Sequence, residues 1–124
     1  MALPPVFDTA FLQRDVTGPW RSFDLGEVNG NAVRLRVMED ITANWHTHAE
    51  SDELFYVISG TFHMDTEQGT REIQSGELFV VPAGTRHRGR VEGRATMLII
   101  DGIDAVRAQD ATERATTRDF GNAQ

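Results

Sequence analysis

The chain alternates short apolar runs with glycine-rich turns and shows little of the spacing expected for helices. The runs ELFYVIS, LFVV and MLII are rich in β-branched and aromatic residues, which is typical of buried strands. Asn29-Gly30 separates two β-prone segments and predicts a tight hairpin turn. A second hairpin is predicted over 60–74, with its tip at Glu67-Gln68-Gly69. Pro82 is predicted to end the strand LFVV, and the segments HRGRVEG and ATMLIID predict two further strands.

Strands at this close spacing predict an all-β fold, built as an antiparallel sandwich or barrel. The segment from Asp8 to Val16 predicts a short N-terminal helix, with Asp8 as its N-cap. The 124 residues suit a single domain, 1–124, whose barrel core covers about 20–103. Residues 104–124 are polar, so we expect a short surface helix or a loosely held tail there, dispensable for any metal site.

Charge and composition exclude several functions. The net charge of −7 argues against a nucleic-acid partner, which would require a clustered basic face. The chain contains no cysteine, so disulfides and cysteine-type zinc sites are excluded. No apolar run approaches the roughly 20 residues that span a bilayer, and the N-terminus does not resemble a signal peptide. A cytoplasmic location is therefore expected.

Histidines mark the candidate site. On a β-strand, residues i and i+2 share a face, so His46 and His48 would point to the same side, with α-carbons about 6.5–7 Å apart. That separation allows both imidazoles to reach one metal ion. Glu53 opens the next strand and is the best candidate for a carboxylate ligand, and His87 follows a later strand. The alternative is that the two neighbouring histidines are an ordinary surface pair.

Two motifs carry a family resemblance. The stretch DITANWHTHAESDELFYVISG matches the first cupin motif at His46, His48, Glu53 and Gly60, but has Asp40 in place of its leading glycine. The stretch GELFVVPAGTRHRGRV resembles the second motif, with Val91 in place of its final asparagine. Its matching positions are Gly76, Pro82, Gly84 and His87. The chain thus resembles the cupin superfamily, in particular small single-domain bacterial cupins described as mannose-6-phosphate-isomerase-like.

The resemblance implies a jelly-roll β-barrel that holds one divalent metal ion per chain through His46, His48, Glu53 and His87. This ligand set suits Fe²⁺, Mn²⁺, Ni²⁺, Co²⁺ or Zn²⁺. Four protein ligands leave two open positions in an octahedron, where a small oxygen-rich metabolite could bind. The expected function is a metal-dependent enzyme, either an oxygenase or an isomerase/lyase. The alternative is a non-catalytic module that binds or senses a small ligand.

No catalytic residue is assigned from the sequence. Tyr56 and His63 are the candidate general bases, but Tyr56 points away from Glu53 by strand parity and His63 fits a surface position. Several arginines could bind an anionic substrate, although a solvated strand face is the preferred interpretation for each. Arg86 and Arg88, on either side of His87, should point away from the metal. The full set of candidate arginines is Arg34, Arg36, Arg86, Arg88 and Arg90.

Some strands are apolar on both faces. In LFYVI, Phe55 and Val57 share the inward face with Glu53, yet Leu54, Tyr56 and Ile58 are apolar too. Because a strand with two apolar faces is normally buried on both, we predict that a second copy of the chain covers the outer face as a homodimer.

Overall fold

A computed structural model of the chain describes residues 2–105, and these residues form an all-β fold preceded by a short helix. The strands form an antiparallel sheet in the order β1-β2-β7-β3-β6, and β4 joins it by pairing with both β5 and β7. The elements are α1 (Thr9–Gln13), β1 (Trp20–Val28), β2 (Asn31–Thr42), β3 (Glu53–Ser59), β4 (Thr61–Thr66), β5 (Gly69–Gln74), β6 (Leu78–Val81) and β7 (His87–Gly102).

The turn signals in the sequence position most of these elements correctly. Asn29 and Gly30 adopt positive φ values of 51° and 78° between β1 and β2, as a two-residue hairpin turn requires. The second hairpin turns at Glu67 and Gln68, and Pro82 directly follows β6. The short helix is confirmed as well, since the side chain of Asp8 accepts a hydrogen bond from the backbone N–H of Phe11 at 3.1 Å.

One strand, β7, replaces the two that were predicted over 87–93 and 95–101. The expected break falls at Gly93, whose φ of 76° bends β7 without ending it. Opposite this bend, Asp40 adopts a φ of 47° and its Oδ1 accepts from the N–H of Gly93 at 2.7 Å. Asp40 stands where the family motif has glycine, and aspartate tolerates this left-handed conformation better than most residues. The departure from the motif therefore preserves the turn.

The core lies on the inward faces of the strands. On β3, Phe55 and Val57 are almost fully buried, and on the neighbouring β7 they face Ile99 and Met97 in register. Outside the sheet, the segment after α1 packs on β7, where the guanidinium of Arg94 donates to the carbonyl oxygen of Val16 at 2.8 Å. The part of the predicted C-terminal tail that follows residue 105 lies outside the described residues.

A carboxylate on the face of β4 opposite the core binds two arginines of β7. Asp65 Oδ2 accepts from Nε of Arg88 at 2.8 Å and from Nε of Arg90 at 2.7 Å, while its Oδ1 accepts from the hydroxyl of Thr70. Burial opposes ionisation of Asp65, but hydrogen bonds from Arg90, Arg88 and Thr70 hold its pKa well below the usual value. The ionised carboxylate therefore stabilises the contact between these strands.

We predict that Asp65→Asn lowers the free energy of unfolding of the metal-free protein at pH 7 by about 1–3 kcal/mol. Because the folded-state pKa is depressed, the stabilisation is complete above the unfolded pKa of about 4 and is lost as the pH falls below it. The difference between wild type and variant, measured by denaturant unfolding, should shrink from pH 6 towards pH 2. The control is Asp24→Asn, which changes an exposed aspartate on β1. A difference independent of pH would contradict this account.

Candidate metal centre

His46 and His87 are held together by their backbones. The N–H of each residue donates to the carbonyl oxygen of the other at 2.9 Å, and their ring centroids lie 4.3 Å apart. His87 begins β7, whereas His46 belongs to an irregular segment and pairs with His87 as an isolated bridge. The prediction that His46 and His48 lie on a regular strand is therefore wrong. Their rings nevertheless lie on one side, with centroids 5.1 Å apart.

Backbone carbonyls orient two of the imidazoles. Nδ1 of His46 lies 2.9 Å from the carbonyl oxygen of Asn44, and Nδ1 of His87 lies 2.8 Å from that of Thr85. A carbonyl oxygen only accepts hydrogen bonds, so each Nδ1 carries the proton and each Nε2 presents its lone pair. This is the arrangement by which proteins fix metal-binding histidines.

Glu53 lies between the histidines. It is the first residue of β3, it is 1% exposed, and it shares the inward face with Phe55 and Val57, as predicted. Its Oε1 is 3.1 Å from Nε2 of His87. Its Oε2 is buried and has no hydrogen-bond partner within residues 2–105. A buried carboxylate oxygen without a donor is costly, and a cation at this point would remove that cost.

His48 also lies near Glu53, together with an acidic residue that was not predicted from the sequence, Asp101. Nδ1 of His48 is 3.6 Å from Oε1 of Glu53 and 2.9 Å from Oδ2 of Asp101, near the end of β7. Oδ1 of Asp101 accepts from the Ser51 hydroxyl at 2.5 Å and from the Gly102 N–H at 2.8 Å. Burial opposes ionisation of Asp101, but the contacts with His48 and Ser51 lower its pKa.

The predicted residues therefore assemble around a shared carboxylate. The ligand atoms of His46, Glu53 and His87 lie within 4.8 Å of one another, and so do those of His48, Glu53 and Asp101. The ring of His48 is 5.6 Å from that of His87. Both groups are compatible with a metal ion, because imidazole and carboxylate are common ligands of divalent metals. The assignment of four particular ligands stays a prediction.

A small cavity adjoins His46 and His87. Aromatic and aliphatic side chains form most of its wall, and Arg36 is part of it. The prediction that Arg34 and Arg36 lie on a solvated strand face is wrong, because these residues are only 1% and 3% exposed. The lining residues are Trp20, Arg36, Met38, Ala43, His46, Phe55, Phe62, His87 and Gly89.

The other candidates lie outside this cavity. Tyr56 points outward and is 37% exposed, as strand parity predicts. His63 is partly buried, with Nε2 3.6 Å from a carboxylate oxygen of Glu72. Arg88 and Arg90 bind Asp65 on the face opposite the core. Arg88 therefore points away from the candidate metal centre, as expected, and so does Arg90.

The sequence and the fold together identify the family. A family model described as a cupin domain matches residues 33–102, which is more than half of the chain. The chain therefore belongs to the cupin family, and the resemblance seen in its motifs is confirmed. The mannose-6-phosphate-isomerase-like subtype stays a prediction.

Relatives support this assignment. The uncharacterized protein YdbB of Bacillus subtilis (strain 168) is 35% identical over 81 residues, which cover 64% of this chain and 71% of that protein. A cupin-2 domain protein from Shewanella frigidimarina has a TM-score of 0.72 at 26% identity, covering 78% of this chain and 94% of its own. The NMB1881 protein of Neisseria meningitidis shares the fold, with a TM-score of 0.68 at 23% identity. The match covers 79% of this chain and 99% of that protein. No helix within residues 2–105 is long and apolar enough to cross a membrane.

Proposed function

We propose that the protein is a metal-dependent cupin enzyme that binds one divalent metal ion through His46, His48, Glu53 and His87. Its substrate would be a small oxygen-rich metabolite that occupies the two remaining metal positions. The reaction would be of the oxygenase or the isomerase/lyase type. The proposed location is the cytoplasm, and the proposed functional unit is a homodimer.

The observation that carries this proposal is the convergence of three imidazoles on one buried carboxylate. The three ring centroids lie within 5.6 Å of one another, and Glu53 contacts both His87 and His48. Oε2 of Glu53 is buried without a donor in the described part of the chain, so the donor set fits a cation. A purely structural cluster would be expected to provide that oxygen with a hydrogen bond.

We assign His48 as a ligand and Asp101 as the residue that orients it. Oδ1 of Asp101 already accepts from Ser51 and Gly102, and its Oδ2 faces Nδ1 of His48. A carboxylate behind a histidine fixes the ring and increases the basicity of the other nitrogen. Asp101 would thus hold His48 through the close approach of its Oδ2 to Nδ1 at 2.9 Å, whereas the carbonyl oxygens of Asn44 and Thr85 hold His46 and His87 by hydrogen bonds.

The chemistry follows from the ligand set. A divalent metal held by neutral imidazoles and one carboxylate can polarise a bound carbonyl or enol oxygen. Glu53 offsets one of its two charges, so the centre would favour an anionic oxygen chelate. The chain contains no lysine, so no lysine Schiff base could form. The residues of the chain would bind and orient the substrate, while Phe55 and Phe62 exclude water from one side of the cavity.

One observation favours the alternative of a non-catalytic binding or sensing protein. Neither candidate general base, Tyr56 or His63, is among the residues that line the cavity within the described chain. Metal analysis of protein purified without added metal, followed by a substrate screen with that metal restored, separates the two functions. Turnover of a chelating metabolite supports the enzyme, whereas saturable binding without turnover supports the sensor.

We predict that His87→Ala reduces bound metal to well below one ion per chain, because it removes a ligand that begins a rigid strand. His63→Ala, which removes a histidine outside the cavity, should retain full occupancy. The measurement is elemental analysis of both variants after loading and desalting. Full occupancy in His87→Ala would reject the assignment of this ligand.

We predict that Asp101→Asn keeps the stoichiometry of one metal ion but weakens affinity roughly 10- to 100-fold, as loss of an orienting carboxylate usually does. His48→Ala should weaken it further, since it removes the ligand itself. Competition with a fluorescent chelator measures both, and the exposed Asp24→Asn is the control. If Asp101→Asn lost the metal and His48→Ala kept it, Asp101 would be the ligand instead.

The proposed dimer would bury an apolar patch on the outer face of β3, β6 and β7. Tyr56 pairs with Leu78, and Leu54 pairs with Val80, so these side chains lie next to one another. Leu78 and Val80 are 59% and 44% exposed. The patch consists of Leu54, Tyr56, Leu78, Val80, Leu98 and Ile100.

We predict that the double change Leu78→Lys and Val80→Lys converts the dimer to a monomer at tens of micromolar, because two charges would be buried in an interface of about 1,000 Å² or more. Val28→Lys changes an equally exposed apolar residue on β1, away from the patch, and should remain dimeric. Analytical ultracentrifugation distinguishes the states. A monomeric wild type would exclude the dimer.

A further inference from the structure

The cavity beside the candidate metal centre is small, and few of the residues that line it reach the surface. The space that the centre of a water molecule can occupy in it is about 10 Å³, which is room for about one water molecule. In the described part of the chain, Trp20 and His46 are the lining residues that are partly exposed, and the others are buried. A ligand from solvent therefore enters this cavity beside Trp20 and His46.

The inner wall of the cavity has no room to move back. The ring of Phe62 lies so close to Gly89 that a β-carbon added at this glycine would overlap the ring. The same ring packs on Phe55, with ring centroids 5.3 Å apart, and both phenylalanines are buried. A wall packed in this way yields only at a large cost in contacts. A ligand larger than water therefore has to displace a residue at the entrance.

Of the two residues at the entrance, His46 is held in place. Its backbone exchanges two hydrogen bonds of 2.9 Å with His87, and its Nδ1 lies 2.9 Å from the carbonyl oxygen of Asn44. As a proposed metal ligand, its ring could not turn away without releasing the metal. Trp20 is thus the side chain of the entrance that can yield.

The backbone of Trp20 is anchored, so its ring moves by rotation of the side chain. Trp20 begins β1 and pairs with Met38 of β2, and the carbonyl oxygen of the preceding Pro19 accepts from the N–H of Glu39 at 3.1 Å. The guanidinium carbon of Arg36 lies 4.0 Å from the ring centroid of Trp20. Outward rotation of the ring would end this stacking, and the loss opposes entry of a larger ligand.

We propose that Trp20 determines which ligands reach the metal, because its ring leaves room for a ligand about the size of one water molecule. This inference rests on the proposed function, since it presumes a metal ion at the histidines. With the ring in place, the cavity accepts a narrow ligand that binds through one atom, such as water or azide. A metabolite that binds through two oxygens enters only when the ring turns outward.

The test compares two probes on Co²⁺-loaded protein. Azide is a narrow anion that binds a metal through one nitrogen, whereas acetohydroxamate binds as an anion of the same charge through two oxygens. The visible spectrum of Co²⁺ gives the dissociation constant of each. In Trp20→Ala, acetohydroxamate should bind roughly 10- to 100-fold more tightly than in wild type, because no stacked ring has to be displaced. Azide affinity should change by less than about 3-fold, since azide fits beside the ring.

Phe23→Ala is the matched control on the same strand. Phe23 is also a partly exposed aromatic residue, and the guanidinium carbon of Arg21 lies 4.5 Å from its ring centroid, but it does not line the cavity. This variant should keep both wild-type dissociation constants. If Phe23→Ala tightened acetohydroxamate binding as much as Trp20→Ala does, loss of either ring would merely loosen the barrel, and the role of Trp20 would be overturned.

A second measurement keeps Trp20 and does not depend on the folding of Trp20→Ala. The chain contains two tryptophans, so Trp45→Phe leaves Trp20 as the only source of tryptophan fluorescence. In Zn²⁺-loaded Trp45→Phe, acetohydroxamate should shift the emission to longer wavelength, because the ring moves into water, whereas azide should leave it unchanged. Calorimetry on the same samples verifies that each probe is bound.

The outcomes separate this inference from the proposed function. An equal effect of Trp20→Ala on both probes, or an effect on neither, would overturn the role of Trp20 while leaving the metal site intact. Unchanged emission with acetohydroxamate bound would mean that the chelate reaches the metal from another side, which also overturns that role. Failure to load Co²⁺, or a spectrum that neither probe changes, would overturn the proposed function and this inference with it.

Discussion

Burial of the Glu53 carboxylate is the constraint on which the candidate site depends. An isolated carboxylate in an apolar core is costly, so its neighbours must supply donors or positive charge. Here Oε1 faces Nε2 of His87 at 3.1 Å, a nitrogen that presents its lone pair, and Nδ1 of His48 at 3.6 Å, while Oε2 has no donor in residues 2–105. A cation among these atoms would supply what the chain does not. The backbone bridge between His46 and His87 makes this geometry part of the fold, because those hydrogen bonds form with or without a metal.

The bend of β7 connects the two sides of the site. His87 begins this strand and Asp101 lies near its end, yet both contact the group around Glu53. Such an approach requires the strand to turn, and it does so at Gly93, where the side chain of Asp40 holds the backbone. Asp40 therefore compensates for the missing motif glycine by stabilising the bend opposite it. The bend at Gly93 therefore both curves β7 and allows its two ends to reach the candidate metal centre.

Local signals predicted the parts of the structure that depend on neighbouring residues. Asn29-Gly30, Pro82 and Asp8 each act within a few residues, so the turns, strand ends and helix cap could be recognised directly. Asp101 was missed because its partner His48 lies far away in the sequence, although its parity with Met97 and Ile99 marked it as inward-facing. Arg36 was assigned to a solvated face because a charged residue within a strand usually is solvated, and the tertiary structure overrides that preference.

The charge at the candidate metal centre is the reason that the proposed ligand is an anion. Within the described chain, Arg34 and Arg36 share a strand face with Met38, and Glu53 and Asp101 face the same core. A divalent ion bound at Glu53 would carry one more positive charge than that carboxylate offsets, in an environment of low dielectric constant. A neutral ligand would not relieve that excess, whereas an anionic oxygen chelate would. The apolar wall of Phe55 and Phe62 strengthens this selection, because it keeps water from supplying the same screening.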